Sequence, residues 1–446
     1  MRIGCAAPPG RSDPSRFPNR QEAPRAGAVV CGGAAVLAPM FRPLRERNYR
    51  LWAGADLVST AGTWMQVLGL NWLVLAATGS AATMGVVVML QALPVLLLGS
   101  WGGALADRLP ARPMLIAAQA LRALLALALV AHTGQSLIFA VALASGVISA
   151  FEGPMLGRFG SALVPREALG SALALGSVLS SAGRIGGMAL GGVLVGITGP
   201  AVLFLINAVS YLAVIAALAA MRTGELRGLP RAPGADGGVR AGLRYLLGRP
   251  VVLTVLALSF VLGSLGRNYQ VTMAAMVAGP LHGTSGSYGL LSTVFAVGAV
   301  AGGLLLAGSG RSTLRVLLAA GGSISVLQFC SGLAPNVLGF AAVLLPIAAG
   351  AVVFDTVVAT RIQLDTREDM RGRVLATAGI VSSLSGMVGA PALGWLCDNA
   401  GPRAALLLAG LVTTVAVLAG GALLARARGR HVPLLTGRRR LVPQPA

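Results

Sequence analysis

Gly102-Gly103-Ala104-Leu105-Ala106-Asp107-Arg108-Leu109-Pro110-Ala111-Arg112 is a short charged seam between two apolar runs, 83–106 and 113–131. Each run is close to the roughly 20 residues that a helix needs to cross a hydrocarbon layer. Moving outward at that spacing finds ten more runs, at 51–75, 137–157, 171–195, 201–220, 251–279, 287–307, 314–333, 337–359, 374–397 and 404–425. Composition agrees: 55% of the 446 residues are hydrophobic and only 11% are charged. A soluble protein carries roughly 25% charged residues. The chain therefore reads as an all-α membrane protein with twelve transmembrane helices.

Charge orients it. The formal net charge of +21 comes entirely from arginine, because the sequence has no lysine. Of 35 arginines, 26 fall in alternate loops at 42–50, 108–112, 158–166, 222–249, 311–315, 361–373 and 426–440. The intervening seams 76–82, 196–200 and 334–336 have no basic residue, and Arg403 stands alone on that side. The positive-inside rule predicts both termini in the cytoplasm. Such a basic balance would otherwise suggest nucleic acid, but here it sets orientation, and no nucleic-acid partner is expected.

Other chemistries find little support. Cys5, Cys31, Cys330 and Cys397 have no paired spacing, and His132, His282 and His431 are scattered, so no metal site and no catalytic cluster is read. Without lysine there is no phosphate-binding loop. No cofactor is expected, and the chain is not read as an enzyme.

Residues 1–39 mix five arginines with six prolines and read as a disordered leader. Met40 is taken as the start of the working protein, with a cleaved signal peptide as the lesser alternative. The segment 40–221 reads as an N-terminal six-helix half, 222–250 as a cytoplasmic linker, 251–425 as a C-terminal half and 426–446 as a basic tail.

The halves echo one another. Phe151-Glu152 recurs as Phe354-Asp355, Arg158 as Arg361, and Gly183, Gly186 and Gly191 as Gly386, Gly389 and Gly394, all at one offset. Gly102-Gly103 recurs as Gly302-Gly303 at a slightly shorter one. Two parallel six-helix repeats about an axis along the membrane normal describe a major facilitator architecture, with substrate near the midplane between them.

The opening seam resembles the loop signature of the major facilitator superfamily, Gly-x-x-x-Asp-Arg-x-Gly-Arg-Arg, through Gly103, Asp107, Arg108 and Arg112. Pro110 and Ala111 depart from it, and Ala307 replaces the acid in the second half. The resemblance implies a cytoplasmic latch, in which the arginines pair with acids of neighbouring spans. It also brings in Glu152 with Arg158 and Asp355 with Arg361 at the cytoplasmic ends of spans four and ten. Asn48-Tyr49-Arg50-Leu51-Trp52, Gly62-Thr63-Trp64-Met65, Val164-Pro165-Arg166-Glu167 and Met370-Arg371-Gly372-Arg373-Val374 are similar to one bacterial branch, that of enterobactin-type siderophore exporters and macrolide efflux proteins. This implies proton-coupled export of a small molecule across a bacterial inner membrane, and the working unit is expected to be a monomer. Gly186-Gly187-Met188-Ala189-Leu190-Gly191 only loosely resembles the antiporter motif of span five, since Gly187 stands where that motif has proline.

Charges inside spans are the candidate machinery. Asp56, Ser59, Thr60, Thr63, Gln66 and Asn71 fall within an arc of about 140° on span one. Serine and threonine alone would serve as interhelical glue. Asp56 has no such excuse, because a buried charge costs about 2.5–3.5 kcal/mol on insertion scales. Arg122, at similar depth on span three, could pair with it. Arg184 suits an anionic cargo or tunes a carboxylate's proton affinity, against the alternative of a structural arginine bonded to helix carbonyls. Arg267 is placed in the outer third of span seven, as a vestibule contact or an arginine snorkelling outward.

The expectation is a secondary active exporter of a drug, siderophore or secondary metabolite, working by proton antiport. Its partners would be the cargo, protons and the bilayer. An importer or facilitator on the same fold is the alternative, and a non-transporting receptor a remote one.

Overall fold

The computed structural model describes residues 41–106, 108–225, 244–246, 248–309, 313–367 and 370–429. Every long element among them is a helix. The first six are α1 (Arg47–Thr78), α2 (Ala81–Ala106), α3 (Ala111–Ala131), α4 (Gln135–Ala162), α5 (Leu169–Thr198) and α6 (Pro200–Ala220). The second six are α7 (Pro250–Ala278), α8 (Ser285–Ser309), α9 (Leu314–Gly332), α10 (Val337–Leu364), α11 (Arg371–Ala400) and α12 (Pro402–Gly429). All twelve runs of the sequence are helices. Eleven are long and apolar enough to cross a membrane; α1 falls short in apolarity because of its polar stripe.

Local chemistry ends the helices where the runs stop. Asn336 caps α10 by accepting from the Gly339 amide at 2.8 Å, and Thr313 caps α9 by accepting from Val316. Gly79 closes α1 at φ 66, a left-handed conformation suited to glycine. Leu304, Leu305, Leu338 and Leu418 are each well exposed, as lipid-facing side chains would be.

The halves meet chiefly through α2 against α11 and α5 against α8. On the arginine-poor side they share one core, in which Leu68, Leu203 and Phe204 of the first half join Met273, Tyr288 and Leu344 of the second. Trp72 stacks on Tyr288 with centroids 5.4 Å apart, and Asn71 donates to Gln270. On the arginine-rich side the cores separate. Tyr49, Leu115, Phe159 and Leu218 pack within the first half, and Leu256, Leu317, Phe354 and Leu424 within the second. The molecule is thus fastened along one face of the layer and divided along the other.

Two fastenings stand out. A Cβ on Gly192 of α5 would run into the Gly289 carbonyl of α8, so the backbones touch there directly. At the same face Asp398, near the end of α11, accepts from Ser80 Oγ (2.6 Å), the Ala81 amide (2.8 Å) and the Ala82 amide (3.0 Å). A carboxylate of one half therefore caps the first turn of a helix in the other, where the helix dipole favours negative charge.

The seam between α5 and α1 follows the glycine spacing of the sequence. Gly183 faces Thr60, Gly187 the Ala61 carbonyl and Gly191 the Met65 backbone. At the opening seam the close approach belongs to Gly102, which packs on the Ala150 carbonyl, whereas a Cβ on Gly103 would meet open space.

Gly192→Ala should lower the melting temperature of the purified protein, because backbone atoms rather than a flexible side chain oppose the new methyl. Gly186→Ala, with open space at its Cβ, should be neutral or stabilising by up to about 1 kcal/mol. Equal melting shifts for the two would refute the backbone contact.

Candidate functional site

Two adjoining cavities lie in the divided part of the molecule, and Trp64 of α1 lines both. The first, about 330 Å³, sits within the N-terminal half. Its walls include Asp56, Ser59, Thr60 and Thr63 of α1, Gln119 and Arg122 of α3, and Ser149 and Glu152 of α4. The second, about 240 Å³, lies between the halves. Arg184 and Met188 come from α5, Arg267, Tyr269, Gln270 and Met273 from α7, Phe295 from α8 and Asp355 from α10.

Glu152 is 5% exposed, so its charge needs full compensation. Arg122 supplies it, with Nη2 2.6 Å and Nε 2.8 Å from the same oxygen. Gln119 donates to the other carboxylate oxygen at 2.5 Å, and Arg122 also donates to Ser149 Oγ. Gln119 and Arg122 are three apart on α3, hence on one helical face. Asp56 shares this cavity but receives no hydrogen bond among the described residues. The Asp56–Arg122 pair expected from depth is therefore replaced by Glu152–Arg122, which leaves Asp56 half-buried beside a neutralised pair.

The polar stripe of α1 divides by height. Gln66 accepts from Asn207, Thr63 lies 3.5 Å from the Tyr211 hydroxyl, and Asn71 donates to Gln270. These are helix-to-helix bonds. Asp56, Ser59 and Thr60 below them face the cavity, and Thr63 lines its upper edge.

Arg267 is not an outer-vestibule residue. α7 breaks at a π-helical turn, Leu262–Gly266, and Arg267 follows it with non-helical dihedrals. Asn268 donates to the freed Gly263 and Ser264 carbonyls and Gln328 to that of Leu265. The break turns the guanidinium inward onto Asp355, with which it pairs. That pair is 26% and 48% exposed on its two sides, so it stands in the cavity's solvent and contributes about 0–1 kcal/mol. Arg184 lies over the Trp64 ring, 5.8 Å from its centroid, and makes no hydrogen bond or ion pair among the described residues.

Glu152 and Asp355 were expected at the cytoplasmic ends of their spans because hydropathy falls at Arg158 and Arg361. The helices continue past those arginines, to Ala162 and Leu364. Both acids then lie roughly 15 Å and roughly 14 Å inside the helix ends at 1.5 Å per residue, facing the cavities. Arg361 pairs with Asp365 one turn on, at 3.0 Å, and Arg158 is half-buried and lines neither cavity. Arg112 donates to the Leu218 and Ala219 carbonyls at the end of α6. Arg108 is exposed, and Asp107 lies outside the described residues, as do the leader and most of the tail.

Sequence reading missed Trp64, Gln119, Ser149 and Asp398. Gln119 carried a signal, being a polar residue one turn from Arg122 in an otherwise apolar run. Asp398 carried none, since its partners are backbone amides of a distant helix.

Twelve helices in two halves around a shared cavity match known families. The sequence profile described as transmembrane secretion effector fits residues 38–433. The chain belongs to that family of major facilitator transporters. It is a multi-pass membrane protein. The Staphyloferrin A transporter of Staphylococcus aureus (strain NCTC 8325 / PS 47) is 24% identical over 255 residues, 55% of this chain and 63% of the relative. The match thus spans less than two thirds of that relative's length. In fold the chain is similar to the nucleoside transporter NupG, with TM-score 0.65, 12% identity and coverage of 84% and 99% of the two chains. It is also similar to a bacterial homologue of the human lysosomal transporter Spinster, with TM-score 0.66, 15% identity and coverage of 85% and 96%.

The two acid–base pairs should differ sharply under mutation. Glu152→Ala strands a buried guanidinium and should destabilise the protein by about 3–5 kcal/mol. Asp355→Ala should lose about 1 kcal/mol or less, because its pair is open to solvent. Thermal melts in one detergent decide this; a reversed order would refute the assignment of fixed and open pairs.

Proposed function

We propose that this transporter exports a small molecule across the bacterial inner membrane by proton antiport, with both termini cytoplasmic. The observation that carries the reading is the separation of two charged cavities that share the Trp64 wall. One holds Asp56, which has no hydrogen bond among the described residues, beside the locked Arg122–Glu152 pair, and the other places Arg184, Arg267 and Asp355 between the halves. The first suits a proton, which needs a carboxylate reachable by water and held in fixed surroundings. The second suits cargo, because both halves line it and their relative motion can expose it to either side.

In this reading the divided cores correspond to a cytoplasm-facing state. Cargo enters between the halves while Asp56 is ionised. Closure brings residues 40–221 and 251–425 together on the cytoplasmic side, with 222–250 as the linker. Gly103, Asp107, Arg108, Arg112, Arg158 and Arg361 form the latch there. The Asp398 cap on α2 then breaks, and proton entry to Asp56 from outside favours cargo release. The arginine count on one face supports the orientation. The kinship with a Staphyloferrin A transporter supports a small-molecule cargo.

Everted vesicles with an imposed pH gradient test this. Uptake of a candidate cargo should follow the gradient in wild type and fall at least tenfold in Asp56→Asn, with counterflow exchange retained. Gradient-driven uptake intact in that variant would end the proton role of Asp56. Flux in the opposite sense would establish the importer reading.

A further inference from the structure

We propose that the cavity between the halves binds a carboxylate on an apolar body, and that the cargo's carboxylate displaces Asp355 from Arg267. The proposal rests on reading this cavity as the cargo site.

Charge gives the first argument. Two guanidinium groups, Arg184 from one half and Arg267 from the other, line a space whose one acidic wall residue is Asp355. A guanidinium has five N–H donors. Among the described residues Arg184 gives none of them to a hydrogen bond, and Arg267 gives only its bond to Asp355. An anion placed between them meets an excess of positive charge and unsatisfied donors from both halves at once.

Exchangeability gives the second. The Arg122–Glu152 pair is 17% and 6% exposed and braced by Gln119 and Ser149, so no ligand can replace its carboxylate without stranding a buried charge. The Arg267–Asp355 pair is half open and has no such bracing among the described residues. Asp355 therefore serves as a resident counter-ion that holds Arg267 until a better-placed carboxylate arrives. The displaced Asp355 keeps its hydration in the same cavity.

Shape gives the third. At about 240 Å³ the space is smaller than the roughly 300–1,000 Å³ of most ligand pockets, which fits a head group with its first apolar atoms. Met188, Met273 and Phe295 form the apolar wall, and methionine adapts to varied shapes. The rest of a larger cargo can extend past Trp64 into the neighbouring cavity. Bridging Arg184 and Arg267 would also tie the halves together through the ligand.

Titration calorimetry on the purified full chain in nanodiscs, at fixed pH and without a gradient, tests this with phenylacetate and its neutral isostere phenylacetamide. Phenylacetate should bind and phenylacetamide should not. Arg184→Gln and Arg267→Gln should each weaken phenylacetate at least tenfold. Asp355→Asn should tighten it about threefold or more, since the competitor is gone; Asp355→Ser gives the same comparison if the asparagine variant does not fold. Equal binding of acid and amide, no binding of either, or weaker acid binding in the Asp355 variants would overturn the proposal. Failure here with gradient-driven transport intact removes the carboxylate cargo alone. Binding as expected without gradient-driven transport removes the antiport reading alone.

Discussion

A charge inside a bilayer must be partnered or wetted, and this constraint arranges the whole molecule. Glu152 and Arg122 meet it by partnership, enclosed among α3 and α4 with side-chain bonds on both sides. Asp56, Arg184, Arg267 and Asp355 meet it by lining cavities. The cavity between the halves exists because the helix cores divide on one face while remaining joined on the other. The joined face consists of apolar side chains, a stacked ring pair and touching backbones, with Asp398 at its solvent edge. Charge inside and separation of the halves are therefore one fact seen twice.

The broad fold was legible because a bilayer imposes length. Twelve runs of about the spanning length, arginine-rich loops on alternate sides and an echo between the halves leave few arrangements. Boundaries were less legible, because hydropathy drops at Arg158 and Arg361 although the helices continue beyond them. That shortfall put Glu152 and Asp355 at the rim, whereas both face the interior.

The site was legible in its residues and illegible in its pairing. Asp56, Arg122, Arg184 and Arg267 stand out as charges in apolar runs, and all four line a cavity. Depth alone suggested Asp56 for Arg122, since helix rise fixes height and not azimuth; Glu152 holds the favoured azimuth. For Arg267 the obstacle was different. A π-helical turn at Leu262–Gly266 adds a residue to the turn and rotates everything beyond it, so a straight-helix projection points the side chain the wrong way.

That turn also makes the halves mechanically unequal. α1 runs as one uninterrupted rod from Arg47 to Thr78 and carries Asp56. Its counterpart α7 carries a joint, with the loosened carbonyls held by the side chains of Asn268 and Gln328. Arg267 directly follows that joint, so the local backbone break sets where its side chain enters the cavity. The wall of the shared cavity on the C-terminal side is thus set by a helix break, and the setting of Asp56 by a continuous helix.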